Sequence, residues 1–244
     1  MIKKFFCLIL FFFVFATSFS QNSGKINYTV TSNWSKMMEN CNYLSQSERQ
    51  QSSYVWGTHE WSYKSTLKFN PNVTLYELIP NENNGWSSRQ EDFYMYRNLE
   101  NSEMLDIRKS LGSEYVIIDS LQCLTWKIRN DMKEIVGHIC MNAYFYDTLR
   151  NKEIVAWFAL DMPYPIGPYG YCGLPGVILE LDMNNGAQII TATSIIPDEN
   201  IIIEKPIYKK KSKIIKFSDY QEIEKKAILD AVKMRRPYFW SISY

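Results

Sequence analysis

Hydrophobic and polar residues alternate along most of this chain with a period of two, the signature of strands with one buried face. Lys25 to Thr31 alternates around Ile26, Tyr28 and Val30. Trp61 to Phe69 and Val73 to Ile79 are β-like and are separated by Asn70-Pro71-Asn72, a turn signal. Asp92 to Tyr96, Met104 to Arg108 and Tyr115 to Asp119 follow, with Leu111-Gly112-Ser113 punctuating the last two. Val136 to Tyr146 and Glu153 to Leu160 flank a hairpin loop, Asp147 to Lys152. Val177 to Leu181 and Gln188 to Ser194 flank Asn184-Asn185-Gly186, where Asn-Gly supplies the positive φ that matches strand twist. Roughly ten strands with regular turns predict a mainly β fold, a curved antiparallel sheet or half-barrel.

Two segments carry helical spacing. Asn42 to Gln51 is short and polar. Ser218 to Arg235 is a C-terminal helix with Tyr220, Ile223, Ala227, Ile228, Ala231 and Val232 as its apolar stripe. Ser218 and Gln221 have the spacing of a capping box. The basic run Lys209-Lys210-Lys211, with Lys213 and Lys216, reads as a solvated loop.

The N-terminus changes the setting. Lys3 and Lys4 precede an apolar run from Phe5 to Ala16, and Thr17, Ser18 and Ser20 are small or polar. This is the pattern of a secretory signal peptide over residues 1–20, and the run is shorter than the about 20 residues a spanning helix needs. Residues 21–244 then form one domain with no transmembrane span, exported to the periplasm, the outer envelope or the medium. Lysines and arginines number 27 against 26 acids in 244 residues, so nucleic acid is not an expected partner.

Export directs attention to Cys41, Cys123, Cys140 and Cys172, which remain after the leader is removed. Placing a loop at Asn130 to Lys133 makes Leu121–Arg129 and Glu134–Met141 the arms of a hairpin. Arg129 then faces Glu134, Ile128 faces Ile135, and Cys123 faces Cys140 within disulfide reach. A Cys123–Cys140 bridge is expected on that register, which leaves Cys41 to pair with Cys172.

Candidate chemistry is sparse. His59 and His138 are the only histidines, and neither has a second His at metal-ligand spacing. His59-Glu60 lacks the second His of a zinc-peptidase motif, and no nucleophile elbow, phosphate loop or dinucleotide fingerprint occurs. Glu180 and Asp182 share one side of a strand, which leaves a glycosidase open. No catalytic residue, metal site or cofactor is assigned. The unusual segment is Pro163 to Gly176, PYPIGPYGYCGLPG, which four prolines and four glycines keep from being a helix or central strand. It reads as a rigid flap over one end of the sheet. Trp157, Tyr164, Tyr169 and Tyr171 would fasten it or border a ligand, and Leu174 would insert toward the core.

Gly173-Leu174-Pro175-Gly176-Val177-Ile178 closely resembles the signature of the GLPGLI family, departing from it at Val177. Ala156-Trp157, Pro163 and Gly167-Pro168 resemble the spacing that precedes that signature. Trp126, Lys133-Glu134-Ile135, Gly137, Cys140 and Ala143 fit its upstream pattern, and Gly24-Lys25-Ile26-Asn27-Tyr28 its usual start. The resemblance implies an exported protein of Bacteroidetes-type bacteria of uncharacterised function, and it supplies no catalytic residues. A curved sheet with a helix across it also looks like the lipoprotein carriers of the LolA type, which would make an apolar ligand conceivable. The expected function is non-catalytic binding of lipid, peptide or an envelope protein. The alternatives are a structural or assembly component of a surface complex and an envelope hydrolase.

Overall fold

The computed structural model describes residues 23–56, 60–80, 93–240 and 242. The leader, His59 and Tyr244 lie outside them. Twelve strands form one sheet: β1 (Gly24–Asn33), β2 (Glu60–Phe69), β3 (Val73–Leu78), β4 (Phe93–Asn98), β5 (Glu103–Ser110), β6 (Ser113–Ser120), β7 (Lys127–Ile135), β8 (His138–Asp147), β9 (Lys152–Ala159), β10 (Ile178–Met183), β11 (Gln188–Pro197) and β12 (Lys213–Ile215). Their order is β12-β6-β5-β4-β3-β2-β1-β11-β10-β9-β8-β7, an open, curved sheet. All pairs are antiparallel except β12 with β6, which makes the sheet mixed. The helices are α1 (Trp34–Glu39), α2 (Gln46–Trp56) and α3 (Phe217–Lys233).

Strict alternation dictates the central strands. In β1, Ile26, Tyr28, Val30 and Ser32 are buried while Lys25, Asn27, Thr29 and Thr31 are half-buried on the other face. The buried row continues through Leu67 and Phe69 of β2, Ile190 and Ala192 of β11, Leu181 and Met183 of β10 and Ile154, Ala156 and Phe158 of β9. We call this the inner face. Leu174, Ile166, Val177, Met37, Met38 and Leu44 join it in one continuous core. The predicted turns hold: Leu111 and Gly112 take φ of 52° and 71°, and Asn184, Asn185 and Gly186 are all positive. Asn70 accepts the Asn72 and Val73 N–H groups with its side chain, closing the turn into β3.

Three differences from the sequence pattern have physical causes. First, the β7–β8 hairpin turns at Val136-Gly137, both at positive φ, and not at 130–133. Ile135 faces His138, and Lys133 faces Cys140. Arg129 pairs with Glu153 rather than Glu134. Cys123 falls outside the ladder and bonds to Cys172; Cys41 and Cys140 are buried free thiols. The Cys123–Cys140 and Cys41–Cys172 pairings are therefore replaced. An edge strand has no second neighbour to demand strict alternation, so its apolar positions misplace the register. Second, the lysine run contains β12, whose parallel pairing with β6 is made by backbone groups and leaves no side-chain pattern. Third, α3 has Lys216 as N-cap without a side-chain hydrogen bond. The Phe217 N–H donates instead to the Asp119 carboxylate at 3.1 Å, so the cap comes from β6 and not from Ser218. The short helix α1 was not legible either; Asn33 caps it by accepting the Lys36 N–H at 3.0 Å.

Candidate functional site

The loop between β9 and β10 packs into the inner face of the sheet. Its buried residues are Met162, Ile166, Gly167, Pro168, Cys172, Leu174, Gly176 and Val177; Tyr164, Tyr169 and Tyr171 remain half-buried. One set of residues thus fills the core and another keeps a rim. Close approach explains two of the glycines. A Cβ at Gly173 (φ 102°) would stand 2.6 Å from the Leu124 carbonyl oxygen, and one at Gly176 1.9 Å from that of Ala159. The Cys123–Cys172 disulfide and a hydrogen bond from the Trp126 indole to the Cys172 carbonyl (2.9 Å) tie the loop to the segment before β7.

Tyr169 takes a positive φ of 54° and carries its ring into an aromatic stack. Its centroid lies 5.3 Å from Phe93 and 5.2 Å from Tyr76, and its hydroxyl shares a short hydrogen bond with Tyr63. Tyr76 hydrogen-bonds Ser65 at 2.7 Å, and Tyr28 donates to the Ile178 carbonyl at 2.8 Å. Tyr164 packs on Phe69, and Tyr171 on Trp126. Burial drives the phenol of Tyr169 well above its ordinary range and that of Tyr171 up to about 12. Both are neutral hydrogen-bonding groups at any physiological pH.

Beside the tyrosines lies a buried ionic network. Asp106 of β5 is paired with Arg97 of β4 and, at 2.7 Å, with Arg108. Burial pushes Asp106 up, but the two guanidinium groups outweigh it and hold the carboxyl below its usual value. Arg150, in the β8–β9 turn, pairs with Asp147 at 2.8 Å and with Glu224 of α3. Lys152 begins β9 at 2% exposure, 3.6 Å from the Met183 sulfur, and burial first and Arg150 second push it down to about 7. Arg150 pairs with Glu224, and the same carboxylate also raises Arg108, so β5 and the β8–β9 turn both lie near this residue of α3.

The remaining sequence candidates separate. Leu174 is core, at 2% exposure, and makes no rim. Trp157 alternates with the inner residues Ala156 and Phe158, so it faces the outside of the sheet, where Lys133 sits 4.2 Å over its ring and pairs with Glu180. It does not join Tyr164, Tyr169 and Tyr171. His138 pairs with Asp161 at 2.8 Å. The Cys140 thiol nearby is buried and pushed up to about 11, by burial first and then by the Asp161 carboxylate, so it is a poor nucleophile. Among the described residues no cluster of His, Cys, Asp and Glu has the makings of a metal site. The ionic network was not legible in sequence, because its members lie on β4, β5, the β8–β9 turn and α3.

Residues 147–180, from the end of β8 through the loop into β10, match a family described as "Protein of unknown function (Porph_ging)". Among solved structures the chain is similar to PNGF-II in a C2 space group, with TM-score 0.52 and 14% identity over 82% of this chain and 32% of that one. It is likewise similar to PNGF-II in a P21 space group, with TM-score 0.51 and 14% identity over 83% of this chain and 33% of that one. The chain thus spans about a third of the length of those structures, and the likeness is one of fold. No curated protein matches the chain.

Proposed function

We propose that this chain is an exported, non-catalytic binding protein of the cell envelope, of the GLPGLI type, which takes an apolar ligand or an envelope protein at the tyrosine rim of its β9–β10 loop. The observation that carries this reading is the half-buried row Tyr63, Phe93, Tyr169 and Tyr171, whose rings lie beside a fixed ionic network. Rigid aromatic rings with a polar tip suit a binding boundary, since little side-chain entropy is lost when they are covered. The non-catalytic part rests on the state of the ionisable groups. The phenols are held neutral, and Asp106 and Glu224 are neutralised by arginines.

Titration of the mature chain with a fluorescent fatty acid tests the apolar form of this reading. Saturable binding is expected, weakened at least about tenfold, or about 1.4 kcal/mol, in Tyr171→Ala. Leu174→Ala is the control for scaffold damage and should cost about 2–5 kcal/mol of stability. Absence of saturable binding, or a Tyr171→Ala loss that only follows unfolding, would defeat the reading. Export is checked by mass analysis of protein from its native host, which should begin near Gln21; a retained Met1 would contradict it.

A second reading, an assembly component of a surface complex, is favoured by a separate observation. Ile128, Met132, Ile139 and Leu160 are exposed together at the β7 end of the sheet.

A further inference from the structure

The chain carries 27 basic residues against 26 acidic, but they are not spread evenly. Lys205 to Lys216 holds six lysines and no acid in twelve residues, and Ile207 within it is 96% exposed. This stretch passes over the outer face of the sheet, opposite the inner one. Ile203 packs down on that face against the cluster of Leu75, Tyr96, Leu105, Ile107 and Val116, while Ile202 beside it is 81% exposed. Lys205 then reaches Glu103, whose strand partner Ser120 ends β6, and Lys209 reaches Glu114 near the start of β6, both at 4.0 Å. Residues 205–209 therefore run along β6 from one end to the other. The chain turns at Lys210-Lys211-Ser212 and returns as β12, with Ile214 opposite Val116 and Lys216 3.9 Å from Asp119.

These contacts fix the layout of a surface patch. Ile207 lies midway between the two ends of β6. Ile214 stands at the same height, on the outer side because its strand partner Val116 is there. Lys213 and Ile215 turn to the inner side, over Tyr115 and against the cluster of Met104, Ile117 and Tyr220. Two exposed isoleucines are thus flanked by Lys205 and Lys216 at one end and by Lys209, Lys210 and Lys211 at the other. The ion pairs at Lys205, Lys209 and Lys216 are long and exposed, so they hold these lysines weakly.

A single exposed isoleucine needs no explanation. Two at one height, with lysines at both ends, form a pattern that one kind of partner uses in full. A nucleic acid or a sulfated polysaccharide would take the lysines and leave the isoleucines in water. A bilayer with anionic headgroups takes both, because it offers an apolar medium just beneath a layer of negative charge.

We propose that the strap of residues 202–216 docks on a bilayer surface carrying anionic lipid headgroups, with Ile207 and Ile214 entering the boundary and the lysines at each end lying among the headgroups. This is independent of the tyrosine rim and of the bare face at the β7 edge.

Flotation of the purified mature chain with lipid vesicles tests the docking. The chain should float with phosphatidylcholine vesicles that contain about one-third phosphatidylglycerol, and bind at least about tenfold more weakly to phosphatidylcholine alone. Salt at about 1 M, where the screening length falls to about 3 Å, should release most of it. Ile207→Asp, and separately Lys210→Gln together with Lys211→Gln, should each weaken anionic-vesicle binding at least about tenfold. Their urea midpoints should match wild type, because all three side chains are exposed. Ile207→Trp should add an emission that shifts to the blue on anionic vesicles and not on duplex DNA. Equal binding to neutral vesicles, no binding to either kind, or anionic binding untouched by Ile207→Asp would each overturn the proposal. The last result, with duplex DNA bound as tightly as vesicles, would make the strap a plain polyanion patch. Tyr171→Ala should float as wild type does, so that failure here and failure of the tyrosine rim are read separately.

Discussion

At one end of the sheet β12 offers three residues, and its exposed Ile214 stands between Lys213 and Lys216. At the other end β7 offers nine, with Ile128 and Met132 exposed on one face. The short edge is guarded in depth. Lys213 lies over the Tyr115 ring, and Asp119 caps α3, whose Tyr220 packs on Tyr115. Ile203, from the segment before β12, packs on the opposite face against the cluster of Leu75, Tyr96, Leu105, Ile107 and Val116. The long edge is fastened from behind, by the Cys123–Cys172 bond and by Arg129 and Lys133 reaching Glu153 and Glu180. Its apolar face is left bare. The comparison teaches that a protein can blunt one edge with charge, helix and loop while leaving the apolar face of the other bare, and that the bare edge is the one to probe for protein partners.

The two ends also differ in what holds them. On the β12 side the largest expected effect is Asp106→Ala, which leaves the buried Arg97 and the half-buried Arg108 without their shared carboxylate. Breaking such a pair costs about 3–5 kcal/mol, and urea unfolding should show it. A cost under about 1 kcal/mol would mean that the arginines find water or other acceptors. On the β7 side, Cys172→Ser opens a bridge that joins residues 49 apart in sequence. The expected loss relative to the oxidised wild type is about 2–4 kcal/mol, and the reduced wild type should behave as the variant does. A loss much below that of Asp106→Ala would place the stability of the fold on its ionic side.

The third expected effect is a pH slope. Lys152, among Arg150, Asp147 and Glu224, titrates at about 7 when folded and near its ordinary value of about 10.4 when unfolded. Below about pH 7 both states carry the proton, and the full cost of burying the charge stands. Between the two values the unfolded chain holds more protons, so stability rises with pH, by at most about 1.4 kcal/mol per unit. Above about pH 10 the buried tyrosines reverse the trend, because only the unfolded chain can ionise them there. Lys152→Met should flatten the rise between pH 7 and 10. An unchanged slope in that variant would assign the effect elsewhere.

Much of the fold was legible because strands buried on one face must alternate, and ten of the twelve announced themselves that way. The other two are the edges: β7 was read too early, at Leu121–Arg129, and β12 not at all, because there half of the pairing partners are missing and packing no longer constrains the side chains. The tyrosines of the β9–β10 loop were legible as a group because prolines and glycines mark an irregular segment. That they keep a half-buried rim was not, since it depends on where the loop enters the sheet.

Local rules therefore determined the turns at Asn70-Pro71-Asn72, Leu111-Gly112 and Asn184-Asn185-Gly186, the buried row of each inner strand, and α3. Each is decided by the φ preferences and spacing of a few neighbouring residues. Only the tertiary structure decided the Cys123–Cys172 bond, the network that joins Arg97, Asp106 and Arg108 to Arg150 and Glu224, and the bare face at Met132. A disulfide depends on which Cα atoms come within reach, a buried ion pair on desolvation, and an exposed patch on what fails to cover it. All three depend on how segments far apart in the chain are brought together, which no local stretch of sequence encodes.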